Sequence, residues 1–122
     1  MRLQESGEMY LESIYVLSKK LGAVRSIDVS EYMGYSKPSV SRAVSLLKNA
    51  GYIVMNEENL ITLTDSGLAI AKKIYDRHTL LSELLIRLGV SEKTAVQDAC
   101  KMEHTISDET FEAIQRHMKQ YR

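Results

Sequence analysis

The most distinctive chemistry in the sequence lies in the run DACKMEHTIS, which brings together a thiol, a carboxylate and an imidazole. Cys100, Glu103 and His104 are spaced i, i+3 and i+4, a pattern that places them on one face of a helix. All three groups are ligands of divalent transition metals. Burying the carboxylate unpaired on an apolar face would cost about 2 kcal/mol or more. The run therefore predicts a metal site.

Other segments of the chain could supply further ligands. Met9 and Glu12 are spaced i, i+3 near the start of the sequence, and His78 lies near the middle of a long helical segment. Each residue alone has a commoner interpretation: methionine fills cores, a lone cysteine such as Cys100 is usually a small buried hydrophobe, and a single histidine is usually a partly exposed helix residue. The combined spacing favours a metal site over these structural roles.

The elements that must position these residues follow from hydrophobic periodicity. Apolar residues at three- and four-residue intervals predict a first helix over residues 9–21. A second, short helix is predicted over residues 27–33. A third begins with Ser36 as its N-cap and Pro38 in its first turn, and runs to about Gly51. Two helices separated by a tight turn are typical of a helix-turn-helix.

The segment after the third helix predicts a β-hairpin and then more helices. Residues 52–55 and 60–63 have the composition of two short strands, joined by the polar turn Asn-Glu-Glu-Asn. Three helices complete the chain: a long one capped by Thr64, and two more that follow from Ser91 and from Ser107. We therefore predict a mainly α protein, with a winged helix-turn-helix DNA-binding domain over residues 1–63 and an all-helical dimerisation domain over residues 64–122.

The third helix has the two faces that a recognition helix needs. Val40, Val44 and Leu47 share one face with Ala43, and the opposite face is small and polar, so that it could approach base edges closely. The only charges from Ser36 to Met55 are positive and could neutralise phosphates. A solvated helix face is the alternative interpretation. The predicted DNA contacts are Arg25, Ser36, Lys37, Pro38, Ser39, Ser41, Arg42 and Lys48.

Composition limits the class of protein but does not itself favour nucleic acid. The 122 residues carry a formal net charge of zero, so the case for DNA rests on local charge and geometry. Charges spread through the first twenty residues exclude a signal peptide or membrane span there. A single cysteine forms no intramolecular disulfide, which fits a reducing compartment. We expect a cytoplasmic protein without membrane partners.

Three other functional classes remain open from the residues alone. The chain could be a winged-helix regulator that answers to a small organic ligand, or to oxidation of Cys100, without metal. It could be a small metalloenzyme with Glu103 as general base, although it has no HExxH motif and no phosphate-binding loop. A scaffolding role is the third. We predict that the chain is not an enzyme, because enzymatic activity would leave the DNA-reading helix unexplained.

Four segments in register resemble the DtxR/MntR family of iron- and manganese-dependent bacterial repressors. They are SGEMYLESIYVL, SKPSVSRAVSLLKNAGYI, LTDSGLAIAKKIYDRHTLL and CKMEH. The resemblance covers nearly the whole chain and is to the compact two-domain form of the family. It implies a homodimer that binds a palindromic operator when loaded with ferrous or manganous ion, and that represses genes of metal uptake.

The resemblance also implies a set of ligands. The primary site of the iron-responsive branch corresponds to Met9, Cys100, Glu103 and His104. Positions that hold a second metal in the manganese-responsive branch correspond to Glu12 and His78. The iron branch has an ancillary site with a histidine and a glutamate where this chain has Val96 and Ser82, so that site is not expected here.

The sulfur donors favour one metal over another. Thioether and thiolate groups, as in Met9 and Cys100, are soft ligands that suit Fe(II) better than Mn(II), which prefers oxygen. We therefore expect a divalent transition metal as cofactor, with Fe(II) favoured and Mn(II) as the alternative.

Overall fold

The computed structural model describes residues 5–120, which divide into two compact units between Lys72 and Lys73. The elements are α1 (Glu5–Leu21), α2 (Ser26–Met33), α3 (Lys37–Asn49), β1 (Ile53–Met55), β2 (Ile61–Leu63), α4 (Asp65–Arg87), α5 (Glu92–Met102) and α6 (Asp108–Gln120). This order confirms the predicted mainly helical fold with one small hairpin. The division between the units falls inside α4. The functional boundary between residues 63 and 64 stays a prediction.

The core of the first unit is built from the predicted helix stripes. Leu11 and Ile14 of α1 are fully buried, and they share this core with the apolar face of α3. On that face Val40, Val44 and Leu47 are buried, as the periodicity predicted. Burying each such side chain contributes about 1.5–3 kcal/mol. The apolar face of α3 is therefore anchored, and its polar face is left for solvent or a partner.

Local capping chemistry sets most of the helix starts. The Ser36 hydroxyl accepts a hydrogen bond from the Ser39 amide at 3.3 Å, and the Thr64 hydroxyl accepts one from the Gly67 amide at 3.2 Å. Ser91 and Ser107 accept equivalent bonds at the starts of α5 and α6. The predicted caps at Ser36 and Thr64 and the predicted helix starts at Ser91 and Ser107 are thus confirmed. Helix α2 begins at Ser26, one residue before the predicted start, and has Arg25 as its N-cap.

The hairpin has the register expected of a wing. β1 and β2 pair antiparallel with Ile53 opposite Leu63. The turn is closed by the Asn56 side chain, which accepts hydrogen bonds from the amides of Glu58 at 2.9 Å and Leu60 at 3.0 Å. Glu57 and Glu58 are exposed at the tip.

Gly67 gives the first testable prediction, on stability. A Cβ at this buried position in the first turn of α4 would lie 2.0 Å from the carbonyl oxygen of Tyr52. That carbonyl also accepts the Thr64 amide at 3.1 Å, so it cannot withdraw freely. We expect Gly67→Ala to lower the free energy of unfolding by about 3 kcal/mol, measured by chemical denaturation. The exposed neighbour Ser66→Ala is the control, and equal stability of the two variants would contradict the packing described.

The second unit comprises the end of α4 with α5 and α6. Its buried apolar residues include Ile74 and Leu81 of α4, Ala99 of α5 and Met118 of α6. Within residues 5–120, every helix is too short or too polar to span a bilayer.

Candidate metal centre

The candidate centre of the second unit is a buried carboxylate between two imidazoles. The Glu103 side chain has no exposed surface. Its Oε2 lies 2.9 Å from Nδ1 of His78, and its Oε1 lies 3.3 Å from Nε2 of His104. The His104 side chain is 1% exposed and the His78 side chain 26% exposed. Three residues predicted as ligands from two separate segments therefore meet within this unit.

The end of α5 corrects one sequence-based expectation. The helix stops at Met102, so Cys100, Glu103 and His104 do not all lie on one helix face. Glu103 keeps helical dihedral angles (φ −60°, ψ −24°) as the C-cap, and its amide donates to the Ala99 carbonyl at 2.9 Å. His104 lies in the turn that follows. Cys100 remains in the helix, half-buried, one turn before Glu103.

Sequence reasoning missed Arg77, a buried cation next to His78. It is 5% exposed and donates hydrogen bonds to the main-chain carbonyls of Glu103 and Ile106. A signal was available, because Arg77 falls between Ile74 and Leu81 in the apolar stripe of α4. A charged residue at such a position indicates a buried partner.

The remaining predicted ligands belong to the first unit. Met9 and Glu12 lie one turn apart on α1, and both are half-buried. The main-chain carbonyl of Met9 accepts a hydrogen bond from the Ser13 hydroxyl at 2.8 Å. Their participation in one centre with His78 and Glu103 remains a prediction.

The polar face of α3 is open to a partner, and its side chains are pre-arranged. Of the predicted DNA contacts, only Ser39 is half-buried, and the exposed ones are Arg25, Ser36, Lys37, Pro38, Ser41, Arg42 and Lys48. Ser39 receives a hydrogen bond from the Ser36 hydroxyl at 2.9 Å. It also accepts one from the Arg42 guanidinium at 3.4 Å. Arg42 is thereby directed toward the N-terminal end of the helix.

Known protein families account for both halves of the chain. Residues 2–59 match the iron dependent repressor, N-terminal DNA binding domain, and residues 64–122 match the iron dependent repressor, metal binding and dimerisation domain. The chain belongs to the iron-dependent repressor family. This confirms the resemblance to the DtxR/MntR group, whose members are metal-dependent transcriptional regulators and not enzymes.

Individual relatives of this repressor agree with that assignment. It is 34% identical over 105 residues to the transcriptional regulator MntR of Escherichia coli O6:H1, covering 86% of this chain and 68% of that protein. It is 33% identical to an uncharacterised HTH-type transcriptional regulator of Methanocaldococcus jannaschii, covering 98% of both chains. The structure of the manganese regulator SloR matches with a TM-score of 0.83 at 27% identity, covering 98% of this chain. The chain spans 55% of the SloR chain.

The donors of this repressor fit a divalent metal ion. A carboxylate with no exposed surface is costly to keep ionised unless a cation or hydrogen bonds offset its desolvation. In the second unit the compensating groups are His78 and His104, which are themselves common metal ligands. A Glu-His-His arrangement with a cysteine one turn away fits a transition metal in its chemistry and its burial.

Within the first unit of the repressor, an aromatic contact joins α1 to the start of α3. The rings of Tyr10 and Tyr35 are tilted by 60° with centroids 6.0 Å apart. Burial is the main cause that raises the pKa of Tyr10, and the nearby Tyr35 is the second. The Tyr10 phenol therefore stays neutral at physiological pH. Tyr10 follows Met9, and Tyr35 precedes the Ser36 cap. The helix that carries a predicted ligand therefore contacts the residue that leads into α3.

Proposed function

We propose that this chain is a homodimeric repressor that binds a palindromic operator when loaded with Fe(II) and controls genes of metal uptake. The observation that carries the proposal is the buried Glu103 carboxylate, held 2.9 Å from His78 and 3.3 Å from His104. Such a cluster suits a divalent cation, and the family membership supplies the DNA-binding and dimerisation context.

The proposed ligands are those predicted from the sequence: Met9, Glu12, His78, Cys100, Glu103 and His104. Met9 and Cys100 favour Fe(II), because sulfur donors are soft. Mn(II) is the second candidate, since relatives are named as manganese regulators and since Glu12 matches a position of the manganese-responsive branch. Selectivity would then depend on coordination number and on the metal that the cell leaves available.

The proposed mechanism links metal binding to DNA binding through the position of α1. Met9 and Glu12 would be metal ligands from the DNA-binding part of the chain. Cys100, Glu103 and His104 would be metal ligands from the dimerisation part. Holding these groups together favours one spacing of the recognition helices in the dimer. Coupling of this kind is typically about 1–3 kcal/mol and reciprocal, so operator DNA should raise metal affinity by the same factor.

We further propose a cytoplasmic regulator with no enzymatic activity. A DNA-binding protein works beside the chromosome, and one cysteine without an intramolecular disulfide suits a reducing compartment. Glu103 is unsuited to act as a general base on a substrate, because its side chain has no exposed surface.

The deciding experiment is an anaerobic electrophoretic shift against the chain's own promoter, with Fe(II), Mn(II), Co(II) or Zn(II) added to metal-free protein. We expect tight binding with Fe(II) and none in EDTA. Retained binding in EDTA would instead support a regulator that answers to an organic ligand or to oxidation of Cys100.

Arg42 gives a prediction about the DNA interface. Because its exposed guanidinium projects from the polar face of α3, we expect Arg42→Ala to weaken operator binding by about 1–3 kcal/mol. Metal affinity in the absence of DNA should be unchanged. Lys93→Ala, which removes an exposed positive charge from α5, is the matched control. Equal operator affinities of the two variants at moderate salt would contradict the assignment of α3 as recognition helix.

A further inference from the structure

Arg77 ties the turn after α5 to α4 and α6. Its guanidinium donates to the main-chain carbonyls of Glu103 at 3.2 Å and Ile106 at 2.9 Å. A second terminal nitrogen donates to the carboxylate of Asp108, the first residue of α6. The ring of Phe111 lies 5.3 Å from the guanidinium carbon. One side chain thus restrains the whole segment between the two helices.

Glu103 is held at both ends by consecutive residues of α4. Arg77 binds its main-chain carbonyl, and His78 contacts its carboxylate at 2.9 Å. The guanidinium is planar and presents its donors in a fixed fork, so it restrains direction as well as distance. Glu103 therefore cannot rotate about its backbone without breaking a buried hydrogen bond.

The burial of Arg77 is explained better by the conformation it imposes on the turn than by a contribution to the free energy of folding. A buried ion pair often gives little net stabilisation, because desolvation offsets the attraction. Here the Arg77 side chain is 6% exposed, while its partner Asp108 is 68% exposed. Asp108 is also bound by Lys73 at 2.9 Å. Within the described residues, Nε of Arg77 has no hydrogen-bond partner. The donors that are satisfied are those that hold the turn.

We propose that Arg77 is a positioning residue of the metal centre, which presets the turn of Glu103 and His104 before an ion binds. The inference rests on the proposed function, because it requires these two residues to be ligands. Ligands that are already ordered lose less conformational freedom on binding, and this raises affinity. Without the guanidinium, two carbonyls lose their donor and the turn gains alternative conformations.

The test is an anaerobic Co(II) titration of the full chain, followed by visible absorption. Loss of an outer contact to a metal ligand typically lowers metal affinity about 10–100-fold. We expect a loss in that range for Arg77→Met, with a changed Co(II) spectrum. Arg77→Lys should recover part of the affinity, since an ammonium group can bind one carbonyl but cannot form the fork. Lys73→Met, which removes only the exposed partner of Asp108, should behave like the parent.

A second variant keeps the proposal testable if Arg77→Met does not fold, as judged by circular dichroism. Asp108→Asn removes the charged acceptor of the fork at an exposed position, and we expect it to weaken Co(II) binding more than Lys73→Met does. Parental affinity and spectrum in folded Arg77→Met, or in Asp108→Asn, would overturn the proposal. Failure of the parent itself to bind Co(II) is a different result, which would overturn the proposed function and this inference together.

Discussion

Glu103→Gln is expected to remove metal-dependent operator binding almost completely. The substitution keeps the shape of the side chain but replaces the carboxyl group that lies between His78 and His104. A neutral amide is a poor metal ligand in place of a carboxylate. We expect metal affinity to fall on the order of 100-fold or more, which exceeds the typical loss when a residue that only contacts a metal ligand is removed. Calorimetry of metal binding and the electrophoretic shift both measure this loss.

Thermal unfolding separates this effect from a loss of folding. At a metal concentration about 100-fold above its dissociation constant, the parent should gain about 2.7 kcal/mol of stability, and Glu103→Gln should gain almost none. The metal-free variant should be at least as stable as the metal-free parent, since it no longer buries a carboxylate. Asp98→Asn, an exposed charge removal on α5, is the matched control. Parental stabilisation by metal in Glu103→Gln would exclude Glu103 as a ligand.

The double variant Met9→Asp with Cys100→Glu is expected to shift the metal response from Fe(II) and Co(II) toward Mn(II). It replaces both sulfur donors by oxygen, which Mn(II) prefers. Both positions are half-buried, so carboxylates there need not disrupt the core. Operator binding should be lost with Co(II) relative to Mn(II), and the intense thiolate-to-Co(II) absorption of the parent should disappear.

A core role for the two sulfur residues predicts a different outcome. Two unpaired carboxylates would then destabilise the fold by about 2 kcal/mol or more each, whichever metal is present. Met102→Asp is the control, because it adds a carboxylate at a half-buried position in the same helix as Cys100 but leaves both sulfur donors in place. An unfolded double variant, together with a parent that shows no charge-transfer band with Co(II), would leave the iron assignment without support.

The parts of the fold that sequence predicted are those decided by neighbouring residues. The caps at Ser36 and Thr64 each depend on a hydroxyl and an amide three residues apart, and periodicity alone identifies the buried face of α3. The end of α5 at Met102 could not be predicted in this way. The turn that follows is held by Arg77, 26 residues from Glu103 in sequence. No local pattern reports such a contact.

The candidate site also depends on contacts between residues that are distant in sequence, which local patterns do not predict. Spacing drew attention to Cys100, Glu103 and His104 as one group, but the contact of Glu103 with His78 spans 25 residues and depends on how α4 packs. The place of His78 in a long helical segment made it a candidate ligand, and the resemblance to a family assigned it to a second metal position. Arg77 is absent from the predicted set, although its place in the apolar stripe between Ile74 and Leu81 indicated burial.

Glu57 and Glu58 stand side by side at the tip of the hairpin, where a winged protein meets the sugar-phosphate backbone. Negative charges there repel phosphates and release no condensed counterions. The tip of the hairpin therefore adds no long-range attraction to DNA, and neither does the zero net charge of the chain. The salt-dependent part of DNA affinity should therefore come from the cationic residues predicted as DNA contacts, Arg25, Lys37, Arg42 and Lys48. Discrimination between sites would then depend on the short-range fit of α3 in the major groove.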